Sequence, residues 1–164
     1  MISWREAAKR GALSGSIAAL FSGITLAACG KIENDAAAGP LHGPSQWVWG
    51  RRAAYRRRPA WRYTALGYSI HHIASVSWAM LHEKHVARLA HGRSPAARML
   101  AAGATAAIAC VVDYKVAKGR VQPGFEKQLS RTSLFFVYGA FALGLALGGA
   151  RFGRRRRSSP GAPE

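Results

Sequence analysis

The sequence has few acidic residues, few cysteines and no catalytic signature. Seven Asp and Glu stand against 24 Lys and Arg among 164 residues, which gives a formal net charge of +17. The two cysteines, Cys29 and Cys110, suggest neither a disulfide framework nor a zinc site. The sequence contains no GxSxG elbow, P-loop or GxGxxG pattern. We therefore expect a non-enzymatic protein that carries no cofactor and no metal ion.

Charge is also missing from four apolar stretches, residues 11–30, 63–81, 99–112 and 132–150. A helix of about 20 apolar residues matches the hydrocarbon thickness of a bilayer, and an ionised group at its centre costs several kcal/mol. The sequence predicts an all-α fold, a polytopic membrane helical bundle of four transmembrane helices in a single domain, residues 1–150. The predicted spans are about 11–30, 63–82, 97–115 and 132–150.

Basic residues crowd between and after these spans. An interfacial segment, residues 45–58, is predicted to be a short helix with Ser45 as its N-cap, and a disordered basic loop is the alternative. Residues 151–164 are predicted to be a disordered basic tail. The expected headgroup contacts combine arginines with tryptophans: Arg51, Arg52, Arg56, Arg57, Arg58, Trp47 and Trp49.

An anionic phospholipid is the partner that this charge favours, because each Lys or Arg near an anionic surface contributes about 1 kcal/mol. A membrane-protein partner or a second copy of the chain is the other expected partner. Nucleic acid is the rival anion, but no RNP-like, zinc-finger or helix-turn-helix pattern accompanies the charge, and half of the chain is apolar. We expect no nucleic-acid partner.

The orientation of the bundle and the fate of its N-terminus are open from the sequence. Twelve basic residues fall on each side of the predicted bundle, so the positive-inside rule does not decide. The string Leu26-Ala27-Ala28-Cys29 resembles a lipobox, at which residues 1–28 would be removed and Cys29 acylated. The alternative is a first span that is retained, and the three further spans favour it.

The second predicted span contains the residues most suited to chemistry. Helical spacing places His71, Ser75 and Trp78 on one face, which continues to His82 and His85, and places His72 and Glu83 on the neighbouring face. Asp113 lies at the end of the third span. The candidate intramembrane polar site is therefore His71, His72, Ser75, Trp78, Glu83 and Asp113. Two interpretations stay open: hydrogen-bonded contacts between helices, and a relay for protons or cations.

A metal site in this region is disfavoured by spacing. His71 and His82 lie eleven residues apart, roughly 16 Å along a helix at 1.5 Å per residue. The HEKHV sequence departs from the HExxH zinc motif because its second histidine, His85, comes one position early and Val86 follows. His82 and His85 could share an ion, but two histidines at the membrane interface are the simpler interpretation.

Small residues four apart predict where helices approach closely. The pairs are Gly11 with Gly15 and Gly144 with Gly148. They support a compact bundle more than a defined dimer.

Several short strings resemble an uncharacterised family of small bacterial inner-membrane proteins. They are Pro40-Leu41 through Ser45-Gln46-Trp47-Val48-Trp49-Gly50, Gly67-Tyr68 through His71-His72, Ser75 to Trp78, Val112-Asp113-Tyr114 and Pro123-Gly124-Phe125-Glu126. The resemblance covers most of residues 10–150, with Gln46 where that family is expected to have histidine. It implies four spans and a multi-pass location in a bacterial inner membrane, and it implies no activity.

Together these features favour a non-enzymatic accessory or scaffold component of the membrane. The alternative function is a small proton- or cation-coupled transporter or permeation unit that uses the His71 and His72 pair.

Overall fold

The computed structural model describes residues 2–90 and 94–157, with side chains for 2–89 and 94–150. This part of the chain contains helices and turns and no strand. The α-helices are α1 (Trp4–Asn34), α2 (Gly39–His42), α3 (Gln46–Trp49), α4 (Trp61–Leu81), α5 (Pro95–Val111) and α6 (Arg131–Arg157). Two π-helical turns continue α4 and α5, at His82–Val86 and Val112–Val116. Short 3₁₀ turns lie at Gly43–Ser45, Arg51–Tyr55, Ala87–Ala90, Gly119–Val121 and Phe125–Lys127.

The first helix is longer than the apolar stretch within it. The Ser3 side chain accepts a hydrogen bond from the Glu6 backbone N–H and so caps α1. The helix begins at Trp4, seven residues before the predicted start of the span. At the other end Asp35 adopts a left-handed conformation, and its N–H donates to the Lys31 carbonyl. This is a common way to end a helix.

Helix α1 lies at the centre of the bundle, between α4 and α6. It runs antiparallel to α4, because Gly11 lies against Met80 while Gly23 lies against Tyr68. It also runs antiparallel to α6, because Gly144 lies against Ala18 while Gly148 lies against Ser14. Both pairs of small residues predicted from the sequence therefore lie at helix crossings within one chain.

The fourth long helix, α5, completes the bundle by packing against α6 and the π-helical turn that continues α4. The core between these helices consists mainly of small side chains. It contains Ala18, Ala79, Ala102, Ala106, Phe141, Ala142 and Leu145. Large apolar side chains, such as Leu100 and Phe135, point outward and are three-quarters exposed. Such an arrangement is typical of helices that pack through small residues and face lipid.

Three helices are long and apolar enough to cross a membrane: Trp4–Asn34, Pro95–Val116 and Arg131–Ala150. The helical bundle and three of the predicted spans are thus supported by length and composition. Helix α4 is not one of the three, because its histidines, serines, tyrosines and first-turn Arg62 lower its hydropathy.

The connector between α1 and α4 differs from the predicted single interfacial helix over 45–58. The helical conformation is interrupted at Gly50, whose φ of 81° favours glycine. Helix α3 is therefore separated from the turn that begins at Arg51. Ser45 does not cap α3, because its hydroxyl donates to the His42 carbonyl at 2.7 Å. A folded cap, not one amphipathic helix, covers this end of the bundle.

The predicted disordered tail differs from the structure in its first part. Helix α6 continues to Arg157, seven residues past the predicted end of the span at Ala150. Arginine is a good helix former and no proline lies between Ala150 and Pro160, so the helix extends beyond the apolar stretch. Residues 158–164 of the predicted tail lie outside the described residues.

Candidate functional site

Four of the six candidate polar residues line one small cavity inside the bundle. His71, Ser75 and Trp78 reach it from α4, and Asp113 reaches it from the π-helical turn after α5. The remaining lining residues come from α1, α4, α5, α6 and the 3₁₀ turn before α6: Ser22, Ala74, Ala109, Phe125, Val137, Tyr138 and Phe141. The cavity measures about 50 Å³. A water molecule takes about 30 Å³ in the liquid, so the cavity has room for a water molecule or a small cation.

The polar groups of this cavity are hydrogen-bonded to neighbouring helices. His71 Nε2 lies 3.0 Å from the Ser22 hydroxyl of α1. The Tyr138 hydroxyl of α6 donates to Asp113 Oδ2 at 2.6 Å. Ser75 is 3 % exposed. The cavity is therefore a point where polar side chains join three long helices and the π-helical turn that extends the fourth.

The other two candidate residues lie elsewhere. His72 Nε2 is 3.1 Å from the Ser16 hydroxyl of α1, outside the cavity. Glu83 is buried in the π-helical turn that follows α4, and one of its carboxylate oxygens, Oε1, has no hydrogen-bond partner. Of the two candidate acids, Glu83 and Asp113, only Asp113 lines the cavity that His71 also lines.

The predicted face that joins His71 to His82 and His85 is broken by the same π-helical turn. His82 is buried, and its Nδ1 lies 2.8 Å from the Thr105 hydroxyl of α5. His85 is exposed and its ring lies against Trp4. A π-helical turn shifts the side chains that follow it around the axis, so the spacing of a regular α-helix fails here. Within the described residues no group of three or more His, Cys, Asp or Glu is arranged to hold a metal ion.

A second polar cluster lies in the connector, a segment without hydrophobic periodicity. His42 is fully buried; its Nδ1 lies 2.8 Å from the Arg56 carbonyl and its Nε2 lies 2.9 Å from the Thr64 hydroxyl. Gln128 comes from the turn before α6, and its side-chain Nε2 reaches the carbonyls of Gly39, Ala54 and Arg56. Two buried side chains thus fix the backbone of Arg56.

The ends of the long helices are tied to this cluster. Glu33, near the end of α1, accepts hydrogen bonds from the Ser130 N–H at 2.8 Å and from the Ser130 hydroxyl at 2.6 Å. Asn34 donates to the Gln128 carbonyl. The Glu33 carboxylate therefore caps the N-terminus of α6, where a negative charge is stabilised by the helix dipole.

The resemblance leads one to expect a histidine at position 46, and the glutamine found there has a structural role. Gln46 is 1 % exposed, and its Nε2 donates to the Gln122 carbonyl at 2.7 Å. Arg120 from the same loop donates to the Trp47 and Val48 carbonyls. Position 46 thus joins the connector to the loop between α5 and α6.

The predicted headgroup residues all lie at this connector end of the bundle. The five arginines and two tryptophans are exposed: Arg51, Arg52, Arg56, Arg57, Arg58, Trp47 and Trp49. Two further residues that the sequence analysis left out, Arg62 and Tyr63, pack against this group.

Stability is expected to fall at acid pH through His42. Burial lowers the pKa of the His42 imidazole below its ordinary value. Between the ordinary pKa of about 6.5 and this lower value the unfolded chain binds more protons than the native chain, so the unfolding free energy falls as pH falls. The stabilisation is present above pH of about 6.5 and is lost as pH falls through the folded-state pKa.

Replacing His42 with glutamine removes this titration. The unfolding midpoint of His42→Gln, followed by circular dichroism in detergent, should fall less steeply between neutral and acid pH than that of the wild type. His85→Gln serves as the control because His85 is exposed. An unchanged pH slope in His42→Gln would contradict the role of His42.

The chain matches no protein-family model, no curated protein and no solved structure.

Proposed function

We propose that this chain is a non-enzymatic integral membrane protein with four spans, an accessory or scaffold component of a bacterial inner membrane. The partners in this proposal are anionic phospholipid and a membrane protein or a second copy of the chain. The observation that carries the scaffold role is the pairing of the membrane-depth polar groups with each other across helices.

The fourth span in this proposal is α4. It packs antiparallel along α1 from Tyr68 at one end to Met80 at the other, so it lies at the same depth as a helix that is long and apolar enough to span. Three of its polar side chains point inward, since His71 and His72 bond to serines of α1 and Ser75 is buried. Inward polar groups lower hydropathy without exposing polarity to lipid.

The scaffold role follows from how these groups are used. His71, His72 and Asp113 each lie within hydrogen-bond distance of a hydroxyl on another helix, at 2.6 to 3.1 Å. Interhelical bonds of this kind contribute about 1 kcal/mol each in a membrane. Their use as contacts between helices fits a protein whose task is to hold a defined surface in the bilayer.

A flux measurement tests this role. We expect proteoliposomes that contain the full chain and a pH-sensitive dye to show no proton flux above empty liposomes. The variant His71→Asn/His72→Asn should keep its helical content and lose about 2 kcal/mol of unfolding free energy, because it weakens two interhelical bonds. Proton flux in the wild type that the variant abolishes would overturn the scaffold proposal.

The second candidate function is a small proton- or cation-coupled permeation unit, and the cavity favours it. An imidazole, a carboxyl, two serines and a phenol converge on a space that holds a water molecule or a small cation. In this case flux should depend on His71 and Asp113, which line the cavity, and should be insensitive to His72, which does not.

A further inference from the structure

Two arginines and two aromatic rings stack at the connector end of the bundle. The Arg62 guanidinium lies 6.0 Å from the Trp49 ring centre, and the Arg56 guanidinium lies 4.8 Å from the Tyr63 ring centre. The Trp49 and Tyr63 rings pack edge to face, with 4.5 Å between their centres. We call Trp49, Arg56, Arg62 and Tyr63 the arginine–aromatic clamp. It links both cations through one pair of rings.

The clamp is held in place from below by buried side chains. The Arg56 carbonyl accepts from His42 at 2.8 Å and lies 3.1 Å from Gln128 Nε2. His42 also contacts Thr64, the residue next to Tyr63, and its ring lies 6.0 Å from that of Tyr63. The backbone that carries both arginines is thus fixed before a ligand arrives, which lowers the ordering cost of binding.

The charges of the clamp are not neutralised by any acid among the residues whose side chains the structure describes. Over the residues with described side chains, the ion pairs are Arg10 with Glu6, Lys31 with Asp35 and Lys127 with Glu126. None of these pairs involves Arg56 or Arg62, and both of those side chains are exposed. A guanidinium whose face lies on a ring still has its N–H edge free to donate to an anion, in the fork geometry that suits phosphate.

The position of the clamp indicates which phosphate it meets. It lies at the first turn of α4, beside the exposed Trp61, where a span would enter the bilayer. Tryptophan and tyrosine rings concentrate at headgroup depth in membrane proteins. Arg51, Arg52, Arg57 and Arg58 add positive charge around the same place.

We propose that the arginine–aromatic clamp is a binding site for the phosphate of an anionic phospholipid. Arg56 and Arg62 donate to the phosphate oxygens, while Trp49 and Tyr63 hold the two guanidiniums and lie among the upper acyl carbons. The neighbouring arginines supply only general attraction to the surface. This inference rests on the proposed membrane placement and adds a defined lipid site to it.

Lipid selectivity tests the clamp against a matched control. Full-length chain is reconstituted with phosphatidylcholine and spin-labelled phosphatidylglycerol, and the relative affinity for the anionic lipid is measured. Arg56→Gln/Arg62→Gln should lower this affinity about tenfold, because both charge-assisted donors to the phosphate are lost. Arg51→Gln/Arg57→Gln removes the same charge from residues outside the clamp and should lower it less than threefold. Equal losses in the two variants would overturn the proposal.

A charge-preserving variant separates stacking and fork geometry from charge. Arg56→Lys/Arg62→Lys keeps both positive charges but loses the planar fork, so selectivity should still fall severalfold. Unchanged selectivity would overturn the site. Two other results would also overturn the site. Inorganic phosphate at millimolar concentration would displace the spin-labelled lipid, or the arginine variants would lose affinity for a short single-stranded DNA and keep their affinity for the lipid. Release of the wild-type chain by alkaline wash would instead refute the membrane placement itself.

Discussion

Replacing Gly144 with leucine is expected to disrupt the packing of α6 against α1. A Cβ atom at Gly144 would lie 2.6 Å from Ala18 Cα, which belongs to the backbone of α1 and cannot move aside as a side chain could. Overpacking of this kind costs about 3 kcal/mol or more, because α1 and α6 must separate along their crossing. The unfolding midpoint in a denaturing detergent titration should drop sharply, with loss of the monodisperse peak on gel filtration.

Gly139 provides a matched control on the same helix. A Cβ at Gly139 meets nothing within 4 Å, and the position is exposed. Gly139→Leu makes the same chemical change and gains the same helix propensity, so its unfolding midpoint should equal or exceed that of the wild type. Equal destabilisation by both substitutions would show that α6 does not pack against α1 through Gly144.

Replacing Gln128 with alanine is expected to loosen the connector that covers one end of the bundle. The buried Gln128 amide serves the carbonyls of Gly39, Ala54 and Arg56 at 2.7 to 3.1 Å. The Arg56 carbonyl keeps its hydrogen bond from His42, but the carbonyls of Gly39 and Ala54 lose this donor. Leaving such a group unsatisfied costs about 1–3 kcal/mol, so a total loss of about 2 kcal/mol or more is expected. Trypsin should then cleave the arginines of the connector faster than in the wild type.

Two further variants define the origin of this loss. Gln128→Glu keeps the size of the side chain but removes its N–H donors, so it should loosen the connector at least as much. Gln122→Ala, in the same loop, removes a side chain whose amide takes no part in the connector contacts, since Gln122 accepts through its backbone carbonyl. Rapid cleavage in Gln122→Ala, or slow cleavage in both Gln128 variants, would contradict the role assigned to Gln128.

The helix contacts could be predicted from the sequence where they depend on spacing along one helix. Gly11 and Gly15, and Gly144 and Gly148, were identified as close-approach positions, and each lies against backbone of another helix. His71, Ser75 and Trp78 were placed on one face, and all three line the cavity. In both cases a regular helical period carries the information.

Prediction from the sequence failed where that period is interrupted or absent. The π-helical turn at His82–Val86 moves His85 off the predicted face, and nothing in the HEKHV sequence indicates such a turn. Ser22 and Tyr138 bond to the predicted residues, but as ordinary residues of apolar helices they gave no signal of their own. His42 ends the four-residue helix α2 and Gln128 follows a 3₁₀ turn more than eighty positions later, so only the folded chain brings them together.

The most direct test of the four-span bundle asks on which face of the membrane residue 88 lies. Arg57 precedes α4 in the sequence and Arg88 follows it, and both side chains are exposed. Single cysteines are introduced as Arg57→Cys or Arg88→Cys, with Cys29→Ala and Cys110→Ala in both variants. Each variant is then labelled with a membrane-impermeant maleimide in sealed vesicles of one orientation.

A bundle in which α4 spans places the two cysteines on opposite faces, so one is labelled in intact vesicles and the other only after permeabilisation. Labelling of both from the same face would mean that α4 lies on the membrane surface and that only three helices span, which would contradict the four-span bundle.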